Sequence, residues 1–331
     1  METVTLSELR RLRPAPGKYR YRLRFEPYGR EQEYLPVHVV KGVEEGPALS
    51  ILAAVHGDEY EGVQTAIRLF RDLTPEDIAG TVRIVPVVNV SAYENGTRTS
   101  GIDGGNAARA FPGDNRGTYT ERVAWYVTEG LLRQSDFLLD LHSAGSDYAM
   151  PPMVGYHRRM EDGVPARSWQ AAERFGMPVL WGHETVAPGR TVSAAADLGI
   201  PWLYVEGFGG RRVRPEEQAL YEQGAYRLMD FLGMLRAPGR RIAGEAGEIT
   251  HRVTGDGNLD QAVTAETDGF FLPEASLLSA VRKGDVIGRI VDWAGEELQV
   301  VEAHDEGIVM MLRAAPVVRK GESIYALGVA E

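Results

Sequence analysis

His56-Gly57-Asp58-Glu59 sets an imidazole and a carboxylate three residues apart, where the apolar run Ala48–Val55 ends and the helical periodicity of Tyr60–Leu73 begins. Across such a strand-to-helix turn both side chains can reach one ion. Neutral imidazole and carboxylate are good Zn²⁺ ligands, and a catalytic zinc site uses three protein ligands plus an open position for water. Alone, the pair also fits a polar turn. His142, in Asp140-Leu141-His142-Ser143, ends the apolar run Phe137–Leu141 and is the candidate third ligand. Asp140, two residues back, shares its face and is placed to support the ring. A strand-end histidine bonded to a loop carbonyl accounts for His142 as well. Glu206 follows the run Pro201–Val205 and precedes Gly207-Phe208-Gly209-Gly210. It suits a general base beside a substrate, or a solvated turn.

Position is what joins these residues. His56, Glu59, His142 and Glu206 all fall at or just past the C-terminal ends of expected strands, and in an open α/β sheet those ends share the crevice where ligands bind. Further strands are expected at Tyr19–Phe25, from its period-2 alternation, and at Leu35–Val40. Thr81–Val90 is β-rich, with Pro86 marking an irregular or edge position. Tyr60–Leu73 carries Val63, Ile67 and Phe70 on one helical face, and helices are expected at Thr120–Arg133, Ala166–Phe175 and Pro215–Leu235. The Gly/Asn/Asp-rich stretch Ser91–Arg116 has no periodicity and reads as a functional loop. It holds Arg98 and Arg109, whose planar forks suit carboxylate recognition or oxyanion stabilisation, although loop arginines are commonly solvated. His38, His157, His183, His251 and His304 show no comparable arrangement and read as structural or exposed.

After Pro238-Gly239 the chain changes to short β-type runs between Gly, Asp and Asn turns, which divides it into 1–238 and 239–331. Val281-Arg282-Lys283-Gly284-Asp285-Val286-Ile287 is echoed by Val318-Arg319-Lys320-Gly321-Glu322-Ser323-Ile324, so the second part is expected to have pseudo-symmetric halves.

Composition removes whole classes of activity. The chain has 331 residues and no cysteine, which excludes disulfides, thiolate nucleophiles, iron–sulfur clusters and thiolate zinc sites. A net charge of −11 argues against a nucleic-acid partner. No G-x-G-x-x-G, P-loop or G-x-S-x-G pattern occurs. No run approaches a bilayer span, and Met1–Pro16 is charged and lacks the apolar core of a signal peptide, so a cytoplasmic protein with no membrane partner is expected.

In combination the segments resemble the succinylglutamate desuccinylase/aspartoacylase family, within the zinc carboxypeptidase superfamily. The resemblance is carried by Ala54–Gly62, Gly96-Thr97-Arg98, Asp103-Gly104-Gly105-Asn106, Arg109 with Phe111-Pro112-Gly113, Asp140–Ser143 and Glu206, in family order. It implies an α/β fold with a carboxypeptidase-like mixed sheet flanked by helices. It also implies a smaller C-terminal all-β, barrel-like domain similar to biotinyl/lipoyl carriers. Neither Lys283 nor Lys320 stands in a modification motif, so that domain is expected to shape the mouth of the site or an oligomer interface. Exposed β-edges there make a homo-oligomer plausible.

By the same resemblance, His56, Glu59 and His142 hold one Zn²⁺ per chain, and Glu206 acts as general base and then general acid. Arg98 polarises the scissile carbonyl, and Arg109 and Asn106 belong to substrate binding, with Arg109 on a carboxylate. The implied function is hydrolysis of a small N-acylated amino acid or related amine. The bacterial deacylase branch, including enzymes acting on N-acetyl-diaminobutyrate, is the nearest in appearance. The alternatives are a metallocarboxypeptidase acting on peptide C-termini, or a zinc-containing binding protein without turnover. Two positions depart from the pattern. Gly101 stands where proline is usual, and Ala108 stands where the family has an asparagine before the arginine. Alanine offers no donor, so either the substrate carboxylate is held differently or the substrate is not an ordinary α-amino acid derivative.

Overall fold

The computed structural model describes residues 1–26, 31, 33–158, 163–255 and 257–331. The short apolar runs of the first part become strands β1 (Glu2–Val4), β2 (Gly17–Arg24), β3 (Tyr34–Lys41), β4 (Glu44–Ala53), β5 (Ala79–Val85), β6 (Phe137–Leu141), β7 (Tyr148–Ala149), β8 (Met153–His157), β9 (Val179–His183) and β10 (Trp202–Glu206). The helices are α1 (Leu6–Arg11), α2 (Glu61–Asp72), α3 (Val90–Asn95), α4 (Tyr119–Gly130), α5 (Val164–Phe175), α6 (Thr191–Asp197) and α7 (Pro215–Phe231). None among the described residues is long and apolar enough to cross a membrane.

The strands form a mixed sheet in the order β1-β2-β3-β5-β4-β6-β10-β8-β9. At its centre β5, β4, β6 and β10 run parallel. Every residue of β6 is buried, as expected of a parallel strand covered on both faces. One apolar core joins the sheet to α2, α5 and α7; another joins the opposite face to α1, α4 and α6. The register aligns Ala53 with Leu141 and Leu141 with Val205, so β4, β6 and β10 end level along one edge. The segments after β4 and β6 therefore leave the sheet side by side.

Several expectations change. Ile67 is exposed, and the buried face of α2 is made by Val63, Ala66, Leu69 and Phe70. Pro86 lies just past β5, which is an interior strand and not an edge. The stretch read as a loop opens with α3, where Asn89 Oδ1 accepts from the Ala92 N–H at 3.1 Å and Gly96 ends the turn at φ 60°. Strands β8 and β9 and helix α6 were not legible in the sequence.

The later strands are β11 (His251–Thr254), β12 (Val263–Thr264), β13 (Gly269–Pro273), β14 (Ala280–Val281), β15 (Val286–Val291), β16 (Glu297–Glu302), β17 (Gly307–Arg313), β18 (Val317–Val318) and β19 (Ser323–Ala330). A separate antiparallel sheet has the order β16-β15-β13-β18. The others extend the main sheet: β11 pairs with β9 and β19, and β17 pairs with β19 and β7. The sequence echo is two copies of one turn. Gly284 and Gly321 have φ of 89° and 87°, and Asp285 and Glu322 each accept from the backbone N–H three residues earlier, Arg282 at 2.7 Å and Arg319 at 2.9 Å.

Candidate active site

The turn after β4 is built by close packing. Ala54 takes a left-handed φ of 48°, and a Cβ at Gly57 would stand 2.0 Å from the carbonyl carbon of Ala92, so α3 presses directly on this turn. The turn places His56 and Glu59, both nearly fully buried, beside His142 at the end of β6. Ligand atoms of the three side chains lie within 4.8 Å of one another.

The hydrogen bonds define how the rings face. His56 Nε2 donates to Asn106 Oδ1 at 3.1 Å, an oxygen whose identity is fixed because it also accepts from the Ala108 N–H at 2.9 Å. His142 Nε2 likewise donates to Asp140 Oδ2 at 3.0 Å, which in turn accepts from the Thr191 hydroxyl. With both protons on Nε2, the lone pair of each Nδ1 faces a carboxylate oxygen of Glu59: His56 at 2.7 Å from Oε1 and His142 at 2.8 Å from Oε2. Acceptors facing acceptors this closely need a proton or a cation between them. Two imidazoles and a carboxylate, with second partners on both rings, fit a divalent transition metal.

The electrostatics agree. Burial disfavours charge on His142, yet Asp140 and Glu59 lift its pKa well above that of ordinary imidazole. Burial, with Arg98, holds His56 below the usual value. Burial alone would raise Glu59, but its interactions with His56 and His142, hydrogen bonds included, hold it far below the carboxylate range. Glu206, on the site face at the end of β10, is pushed up to about 8 by burial, with repulsion from Glu59 adding. Its Oε2 has no hydrogen-bond partner among the described residues, and it lines one cavity with His56, His142 and Arg98. A carboxyl group poised near neutrality beside convergent ligands can exchange protons with a bound reactant.

The remaining expected residues sit near this centre but are engaged within the protein. Arg98 Nη1 donates to Glu59 Oε1 at 3.3 Å. Asn106, expected at the substrate, orients His56. Arg109 is closed by Asp260, with Nε to Oδ2 at 2.8 Å and Nη2 to Oδ1 at 2.6 Å. Other contributors were not singled out by the sequence. Asp58 Oδ2 accepts from the Ser146 N–H at 2.8 Å and its hydroxyl at 2.6 Å, tying the segment after β6 to the turn after β4. Tyr221 donates to the carbonyl of His142 at 2.6 Å. His183 is buried and bonded to Tyr204, the structural role expected for it, and it also lines the cavity.

Comparison with known proteins gives a consistent result. The sequence model of the succinylglutamate desuccinylase/aspartoacylase catalytic domain matches residues 45–232. The chain is 32% identical over 301 residues to the N-alpha-acetyl-L-2,4-diaminobutyric acid deacetylase of Halomonas elongata, covering 88% of this chain and 85% of that one. Among solved structures, a succinylglutamate desuccinylase from Silicibacter sp. TM1040 superposes with a TM-score of 0.84 at 25% identity, covering 97% of this chain and 100% of that one. The product-bound ectoine utilization protein EutE (DoeB) of Ruegeria pomeroyi does so with a TM-score of 0.83 at 27% identity, covering 96% of both chains.

Proposed function

We infer the reaction from one premise: this chain belongs to the succinylglutamate desuccinylase/aspartoacylase family. That membership brings hydrolytic deacylation of small N-acyl amino compounds. We propose that the chain carries it out with one zinc ion held by His56, Glu59 and His142. The observation behind this is the convergence of two imidazole Nδ1 atoms on the two oxygens of one buried glutamate. When bound there, zinc supplies acidification of water toward a pKa of about 7 and polarisation of the acyl carbonyl.

The chain's own residues do the rest. Asp140 and Asn106 hold the imidazoles in the Nε2–H tautomer, so their Nδ1 atoms stay available. Glu206 takes a proton from the water that attacks the acyl carbon and returns it to the amine nitrogen as the C–N bond breaks. Arg98 turns from Glu59 to the carbonyl oxygen, where negative charge develops, and strengthens there as the transition state is reached. We assign this chemistry to residues 1–238 and treat 239–331 as the companion β-domain.

The test is metal content by mass spectrometry on the native protein and on His142→Ala, together with hydrolysis of a panel of N-acyl amino compounds. One zinc per chain, lost in the variant and accompanied by deacylation, is the expected result. Metal-replete protein that binds no metal, or zinc-loaded protein that cleaves none of the panel, overturns the reading.

A further inference from the structure

We propose that Asp260 is a specificity determinant of this site, and that the amine half of the substrate is an uncharged, bulky apolar or aromatic group. The proposal rests on the hydrolase reading above and deepens it.

Arg109 is held as an arginine holds a carboxylate, but the carboxylate comes from a residue 151 positions along the same chain. Its remaining fork nitrogen, Nη1, donates to the Ala108 carbonyl at 2.8 Å. Arg190, on the same cavity wall, donates to Asn258 Oδ1 at 2.8 Å and lies 3.5 Å from Asp260 Oδ2. Arg98 faces Glu59. Arg98 is assigned above to the scissile carbonyl; Arg109 and Arg190, the other cavity-lining arginines, already meet the Asp260 carboxylate, and position 108 presents only a methyl group. A substrate carboxylate must compete with one tethered in place, whose effective concentration is about millimolar or higher.

The rest of the wall has the opposite character. Met150, Trp181, Val186, Val192, Trp202 and Leu259 line the cavity next to His56 and His142. The Tyr204 ring lies across Gly155, where a Cβ would be 1.9 Å away. His183 Nδ1 donates to the Gly255 carbonyl at 2.7 Å, so its Nε2 accepts from the Tyr204 hydroxyl at 2.7 Å. This fixes the aromatic wall from behind. The indole N–H groups of Trp181 and Trp202 are buried with no partner among the described residues, so the rings present their apolar surface to the cavity. One strap, Gly257–Gln261, supplies both features: Gly257 and Leu259 line the cavity, while Asp260 closes Arg109.

The test uses ligands that differ only in the carboxylate, N-acetyl-phenylalanine and N-acetyl-phenethylamine. Binding is measured by calorimetry on zinc-loaded Glu206→Gln, and turnover on the wild type. N-acetyl-phenethylamine should bind about tenfold tighter or better. Adding Asp260→Ala should tighten N-acetyl-phenylalanine by about tenfold and leave the neutral ligand unchanged, with Asp260→Asn intermediate. Leu259→Ala should weaken the neutral ligand. Equal or tighter binding of N-acetyl-phenylalanine by the unaltered site overturns the proposal. So does indifference of that ligand to both Asp260 variants, or binding of neither ligand. The stated preference without any hydrolysis would support this proposal and sink the hydrolase reading alone.

Discussion

Glu59 meets His56 with one oxygen and His142 with the other, so the site depends on which atoms of those rings carry protons. Asp140→Asn removes the charge behind His142 and is expected to weaken metal binding by about 10–100-fold, measured by competition with a chromophoric chelator. Glu206→Gln should retain the metal and lower kcat by about 10³-fold; a rate near that of the wild type would remove Glu206 from proton transfer. The same glutamate gives a pH signature in metal-free protein. Its folded pKa, about 8, is raised above the ordinary 4.5. Its contribution to stability is therefore fully present below about pH 4.5 and is lost as pH rises toward 8. The Tm difference between wild type and Glu206→Gln should fall across that window, and a flat difference contradicts the burial argument. The residues that converge here were legible because each stands where a run of apolar residues stops. Asp260, Tyr204 and His183 were not, because their partners are set by register and crossover, not by neighbours in the chain. Asn106 was legible as a member of a pattern, but its bond to His56 was not.

The site is only as accurate as the elements that press on it. Gly57 lets α3 approach until its backbone touches the turn after β4. Gly57→Ala forces a backbone atom to move, and should cost about 1–3 kcal/mol in denaturant unfolding while displacing His56 enough to weaken metal binding. Stability and metal affinity both unchanged would show that the turn yields freely. Gly155 plays the same part beneath Tyr204. The parallel centre of the sheet could be read from β4, β6 and β10 because their apolar runs are nearly unbroken. Strands β8 and β9 could not, and the reason is physical. Gly155 and Gly182 interrupt their patterns, since the space above each is filled by another residue: the Tyr204 ring over Gly155, Tyr156 and Arg158 around Gly182. Helix α6, Thr-Val-Ser-Ala-Ala-Ala-Asp, is too short and small-sided to show a helical period.

Across the whole molecule, residues on the two sides of Pro238 are packed together. Met150, Met153, Val179 and Trp181 share an apolar core with Val253, Ala262, Met310 and Met311, and β9 pairs with β11. A chain truncated at 238 would expose that core and leave β9 an open edge, so it is expected to aggregate rather than remain soluble. Recovery of a folded, monodisperse fragment by light scattering would contradict this. The placement of the indoles has an optical consequence. Trp181 and Trp202 are buried and line the cavity with His56 and His142, whereas Trp293 is 98% exposed on the turn between β15 and β16. Trp293 therefore emits from water at the red end of indole fluorescence and is insensitive to the cavity. Replacing Trp293, Trp125 and Trp169, the indoles that do not line the cavity, by Phe strips away that background, and filling of the cavity then becomes visible as quenching or a spectral shift, with no dye attached.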